Sequence, residues 1–149
     1  MNDTDCVNRI YLFDTTLRDG AQAQGVDFNP TDKTMISLEL NELGIDYVEG
    51  GWPGANPTDD AFFARPPCMD RSKLAAFGMT RRPGRSAEND PGLQAVLSTE
   101  VECVVMVGKT WDYHVDVALE IDQDENVRMI ADSVLHASSK IDEVMFDAE

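Results

Sequence analysis

The sequence predicts an α/β fold, a parallel sheet covered by helices, and three observations carry that prediction. Short apolar runs alternate with longer segments of helical periodicity in the order β(αβ)₄. The runs are β-branched and almost continuously apolar, as strands buried on both faces are. Polar, chemically capable residues follow the strand ends in each unit, and no Gly-rich dinucleotide fingerprint follows the first strand. That placement favours a barrel with its site on the C-terminal face. A complete (β/α)₈ barrel takes about 250 residues, so about five strands and four helices make the N-terminal portion of one.

Each element has its own signal. Ile10–Phe13 is a buried-strand run, and it enters the polar loop 14–25. Asn29-Pro30 starts a helix, with Asn as N-cap and Pro in the first turn. Met35, Ile36, Leu40 and Leu43 give that helix an apolar stripe, and Gly44 ends it. Tyr47-Val48 is the second strand, followed by a Gly/Pro-rich loop over 50–57 and a short helix around 58–64. Leu74–Phe77 is the third strand, with the polar, basic loop 80–90 after it and a short helix at 93–97. Cys103–Val107 is the clearest buried strand. Asp124 is expected to cap a fourth helix with the stripe Val127, Ile130, Ala131 and Val134. Val144–Phe146 begins a fifth strand.

Composition narrows the function. Of 149 residues 42% are apolar, enough for one domain with a core, and 28 acidic against 12 basic side chains give a formal charge of −16. Phosphate contacts need Lys and Arg, so no nucleic-acid partner is expected. Cys6, Cys68 and Cys103 form no CxxC pair and no zinc spacing, and Cys103 lies in an apolar run as a buried thiol. The first ten residues lack an apolar signal segment, and no stretch approaches the roughly 18 apolar residues of a membrane helix. The expectation is a reduced, cytoplasmic protein with no membrane partner.

The chemistry concentrates in Asp14-Thr15-Thr16-Leu17-Arg18-Asp19-Gly20, directly after the first strand. A carboxylate at a barrel mouth is a hard oxygen ligand for Mg²⁺ or Mn²⁺. An adjacent Arg offers a fixed fork of donors to a developing oxyanion. The same Arg-Asp-Gly tripeptide is also compatible with a solvated turn. The longer string decides between them: residues 11–22, Tyr-Leu-Phe-Asp-Thr-Thr-Leu-Arg-Asp-Gly-Ala-Gln, resemble the first-strand signature of metal-dependent condensing enzymes and lyases that share a TIM barrel. Glu49-Gly50-Gly51-Trp52-Pro53-Gly54-Ala55-Asn56-Pro57, after the second strand, resembles the citramalate synthase branch of the isopropylmalate/homocitrate/citramalate synthase family. Phe77–Arg82, after the third strand, also looks like that branch.

The resemblance implies the following. Asp19 is a metal ligand, for Mg²⁺ or Mn²⁺ with Zn²⁺ possible. Arg18 contacts the keto-acid oxygen and the enolate of the acetyl thioester, as both catalytic and substrate-binding residue. Gln22, Glu49, His114 and Glu149 are substrate-binding positions. Arg81 and Arg82 either reach CoA phosphates or belong to a solvated loop, and His136 is exposed or structural. The activity implied is condensation of acetyl-CoA with a 2-oxo acid, pyruvate giving citramalate, on the route to isoleucine. Isopropylmalate or homocitrate synthesis, with a larger keto acid, is the alternative, and a non-catalytic half-barrel is a second one. The family completes its metal site with a His-x-His pair, absent here since the only histidines are His114 and His136. Residues 1–149 are therefore expected to be a partial catalytic barrel lacking the later strands and the regulatory region. Unpaired edge strands make a homo-oligomer the expected assembly.

Overall fold

The computed structural model describes residues 9–149. Cys6 lies outside the described residues. Five strands form one wholly parallel sheet: β1 Phe13–Asp14, β2 Tyr47–Gly51, β3 Lys73–Met79, β4 Cys103–Gly108 and β5 Glu143–Ala148. Their order in the sheet is their order in the chain. Right-handed crossovers between strands added in sequence put every intervening helix on the same face. The sheet consequently curls, through 202° here, into a half-barrel with helices outside and a concave face inside.

The helices are α1 Pro30–Leu43, α2 Pro57–Phe63, α3 Pro91–Leu97, the single turn α4 Asp112–His114, and α5 Gln123–Ser138. Alternation along the strands divides the core into two layers. Leu74, Ala76, Val104 and Met106 face outward and pack with Phe62, Phe63, Leu93 and Val96 of α2 and α3. Tyr47, Ala75, Phe77, Cys103, Val105 and Val107 face inward with Trp52, Met79 and Met145. Burial holds the Cys103 thiol protonated, its pKa pushed up to about 12. At the N-terminal end of the sheet the Tyr47 hydroxyl donates to Glu143 Oε1 at 2.6 Å, and Lys73 Nζ reaches Glu143 Oε2 at 2.5 Å. These bonds tie β2, β3 and β5 together opposite the mouth.

Local signals set the element ends. Asn29 Oδ1 accepts from Thr31 N and Asp32 N, while the Asp32 carboxylate accepts from Asn29 N, a reciprocal capping box. Gly44 closes α1 at φ 86°, a backbone that costs a residue with a Cβ but not glycine. Asn56 and Asp90 cap α2 and α3.

Several expectations are corrected. The first strand is shorter than Ile10–Phe13, because at this edge the Asp46 carboxylate takes the Leu12 N–H and only the Leu12 carbonyl joins the ladder. The stripe Met35, Ile36, Leu40 and Leu43 does not face the core: Met35 and Leu43 are exposed, and the buried face of α1 is Lys33, Ser37 and Asn41. Those polar groups find specific partners: Asn41, for example, accepts from the N–H groups of Arg71 and Ser72. In α5 the buried face is Asn126, Met129, Ser133 and Ala137, leaving Val127 exposed. Its cap is Asp122, which accepts from Glu125 N, not Asp124, which lies in the first turn. The segment between β4 and α5, to which the sequence assigns no element, is helical: α4 runs into a π-helical turn over Val115–Leu119. Among the described residues no helix is long and apolar enough to cross a membrane.

Candidate active site

The loop after β1 is wound tightly enough to aim two side chains at the mouth. The Thr15 carbonyl accepts from the N–H groups of Arg18, Asp19 and Gly20 at 3.1, 2.9 and 3.1 Å. Asp14 caps the turn from the strand side, accepting from Thr16 N and Oγ1. Leu17 is fully buried and anchors the loop, so its neighbour Arg18 points over the concave face.

Arg18 is held on three sides. Its Nε donates to Glu49 Oε2 at 2.8 Å, its Nη1 to Asp19 Oδ1 at 3.3 Å, and its guanidinium carbon lies 4.1 Å from the Phe77 ring centroid. A guanidinium has five N–H donors; these two bonds leave three without a partner among the described residues. Glu49, on β2, is 1% exposed. Burial raises its carboxyl above the ordinary range, and the Arg18 hydrogen bond and charge oppose that rise.

Arg18, Asp19, Gln22 and Glu149 line one cleft of about 490 Å³, with Trp52, Phe77, Met79, Val107, Lys109 and Asp147. Glu49 lies beneath it through its bond to Arg18. Lys109 Nζ pairs with Glu149 Oε1 at 2.7 Å, which holds the Glu149 carboxyl below its usual range. His114 is not among the cleft's lining residues. It sits on α4, half-buried, with its ring centroid 4.6 Å from that of Trp111 and its Nδ1 buried without a hydrogen-bond partner among the described residues. Arg81 is buried, with its Nε and Nη2 both bonded to Asp132 and its Nη1 to Glu125, so its fork is already engaged by carboxylates, while Arg82 is exposed at the surface. His136 Nε2 lies 3.2 Å from Gln94 Nε2 on the outer face.

Lys109 and Asp147 were not read from the sequence as site residues. A usable signal existed: residues 143, 145, 147 and 149 alternate onto the concave face, with Glu143 bonded to Tyr47 and Met145 packed among the inner side chains. Counting Glu49, the cleft and its floor hold four carboxylates against two cations, Arg18 and Lys109. An anionic substrate entering it needs additional positive charge. Asp19, with a side chain 62% exposed, could give a metal one hard oxygen ligand. Among the described residues no group of three or more His, Cys, Asp or Glu stands together to hold a metal ion, so this donor set fits one corner of a coordination sphere and not the whole.

Sheet order, one-sided helices and a site at the strand C-termini define the class: part of a (β/α)₈ barrel with its chemistry in the strand-end loops. The HMGL-like family model matches residues 9–149, and the chain belongs to that family. It is 45% identical over 143 residues to the (R)-citramalate synthase of Aquifex aeolicus, covering 95% of this chain and 27% of that protein. It is 35% identical over 146 residues to 2-isopropylmalate synthase 1 of Caldanaerobacter subterraneus, covering 96% of this chain and 35% of that one. The chain thus spans about a quarter to a third of the length of these relatives. Among solved structures, hydroxymethylglutaryl-CoA lyase from Pseudomonas aeruginosa matches with a TM-score of 0.69 at 17% identity, over 93% of this chain and 45% of that one, a likeness of fold.

Proposed function

We propose that this chain contributes to a cytoplasmic, homo-oligomeric acyltransferase that condenses acetyl-CoA with a 2-oxo acid, pyruvate giving (R)-citramalate, in isoleucine biosynthesis. The observation that carries the reading is Arg18, braced by Glu49 and Phe77, with three N–H donors unpaired among the described residues, lining a cleft that Asp19 also lines. In the condensation the thioester enolate forms a carbon–carbon bond to the keto carbon, and the keto oxygen becomes an alkoxide and then a hydroxyl. Water then cleaves the thioester and releases CoA. Arg18 is placed to hold the developing alkoxide, since fixed donors in a site of low dielectric are worth most where charge appears. Gln22 and Glu149 orient the oxo acid from the cleft wall, and His114 acts from α4 beside Glu149. A divalent metal, with Asp19 as one ligand, would supply the positive charge that the acidic cleft lacks.

Higher identity to the citramalate synthase than to the isopropylmalate synthase favours pyruvate over a larger oxo acid. The test is a chimera in which residues 9–149 replace the matching segment of the Aquifex aeolicus relative. CoA release is followed with acetyl-CoA, Mn²⁺ and either pyruvate or 2-oxoisovalerate. A preference for pyruvate in kcat/KM of about tenfold or more is expected, the scale at which a pocket discriminates small apolar differences. The reverse preference moves the reading to isopropylmalate synthesis, and a folded chimera inert to both acids overturns it.

A further inference from the structure

Lys33 is a lysine of α1 that the chemistry above does not use, and it is 3% exposed. A buried ammonium is costly unless each of its three protons finds an acceptor. Lys33 Nζ donates to the Leu17 carbonyl at 2.8 Å, to the Gly50 carbonyl at 2.9 Å, and to the Asp59 carboxylate. Leu17 immediately precedes Arg18, and Gly50 immediately follows Glu49. One ammonium therefore grips the backbone beside each partner of the Arg18–Glu49 pair. Asp59 is fixed in turn: its other oxygen accepts from Trp52 N at 2.8 Å and Asn56 Nδ2 at 2.9 Å. The space it fills is kept by Gly51, at φ 147°, where an added Cβ would lie 2.6 Å from the Asp59 carboxylate.

We infer that Lys33, held by Asp59, is a positioning residue that sets the distance and angle of Arg18 against Glu49 by clamping the loop after β1 to the C-terminal end of β2. Its importance to catalysis rests on the function proposed above; the clamp itself does not. Packing alone would not require a charge here, because an apolar side chain of the same length would fill the space without the desolvation cost. The charge fits its three acceptors: the Leu17 carbonyl in the loop after β1, the Gly50 carbonyl at the shift of register between β2 and β3, and the Asp59 carboxylate.

The test reads the Arg18 Nε–H directly by NMR in the ¹⁵N-labelled chain, with and without Lys33→Met. In the parent this proton should exchange slowly, being bonded to Glu49. Lys33→Met should speed its exchange by about tenfold or more, while the amides of Val104 and Val105 in β4 keep their shifts. Should Lys33→Met fail to fold, Asp59→Asn, which keeps the shape and removes the charge, is read instead and should speed the exchange by about threefold or more. A folded variant with an unchanged Arg18 Nε–H overturns the inference. So does collapse of the fold in both variants, which assigns the pair to the fold and not to the site. If the chimera is inert but Arg18 still responds to Lys33, the clamp stands and the proposed activity falls. The opposite pattern removes the clamp and leaves the activity.

Discussion

Arg18 serves two partners at once, a buried carboxylate behind it and an open cleft before it. Asp19, the next residue, has its carboxylate mostly in solvent. The two roles should separate on mutation in the chimera. Arg18→Lys keeps the charge but loses the planar fork, so kcat should fall about a hundredfold, the loss typical of one oxyanion donor, with metal affinity unchanged. Asp19→Ala should instead weaken Mn²⁺ binding measured by calorimetry, with part of the rate returning at high Mn²⁺. His114→Ala should raise KM for the oxo acid and leave Mn²⁺ affinity unchanged; an unaltered KM would make its place beside Trp111 purely structural. At the other end of the sheet, Lys73 and then Tyr47 hold the Glu143 carboxyl below its usual range. The folded chain therefore binds fewer protons there than the unfolded chain. This contribution is complete above the ordinary carboxylate value and is lost as pH falls through the depressed one. Urea midpoints of the parent and Glu143→Gln should differ at neutral pH and converge as the solution is acidified below about pH 4; a gap that persists or widens in acid would contradict the linkage.

At the scale of elements, α1 reaches the backbone of the site through Lys33, and its inward face is polar. Its N-terminus is secured by the Asn29 capping box and its middle by Lys33, Ser37 and Asn41. Asn29→Ala should cost about 1 kcal/mol in denaturant unfolding, and a loss under a few tenths would show that the cap is redundant. The caps were legible in the sequence because they are local: Asn29-Pro30 and Gly44 mark α1 whatever it packs against. The inward face of α1 was not, and that of α5 only in part, since Val134 packs against the core while Val127 is exposed. An apolar stripe marks the core only where apolar surface awaits it, and α1 instead meets the carbonyls of Leu17 and Gly50 and the loop at Arg71 and Ser72. The site divides in the same way. Arg18 and Asp19 stand in one contiguous motif, whereas Lys109 and Asp147 join them only through the curl of the sheet and the parity of β4 and β5. Asp122 and Asp124 compete for one cap, and only the turn closed by Glu125 N decides between them.

For the whole molecule, exposed apolar groups lie on both flanks of the sheet: Ile10 is 83% and Leu43 75% exposed on the β1 and α1 side, and Leu135 is 74% and Val127 64% exposed on α5. An open parallel sheet with such a flank associates unless something covers it. The charge of −16 opposes that association through long-range repulsion, which salt screens. Light scattering on purified 1–149 should therefore show association that grows with ionic strength; a monomer at all salt concentrations would contradict it. By itself 1–149 should release no measurable CoA from acetyl-CoA with pyruvate and Mn²⁺, because one carboxylate ligand leaves most of a metal's six-fold sphere to water.

The most direct test of the condensing-enzyme reading is CoA release by the folded chimera with pyruvate and acetyl-CoA, compared with its Arg18→Lys variant. The predicted result is turnover that Arg18→Lys lowers about a hundredfold while Mn²⁺ affinity holds. Full turnover by the Arg18→Lys chimera would contradict the assignment of Arg18 as the oxyanion donor, and with it the proposed chemistry of the cleft.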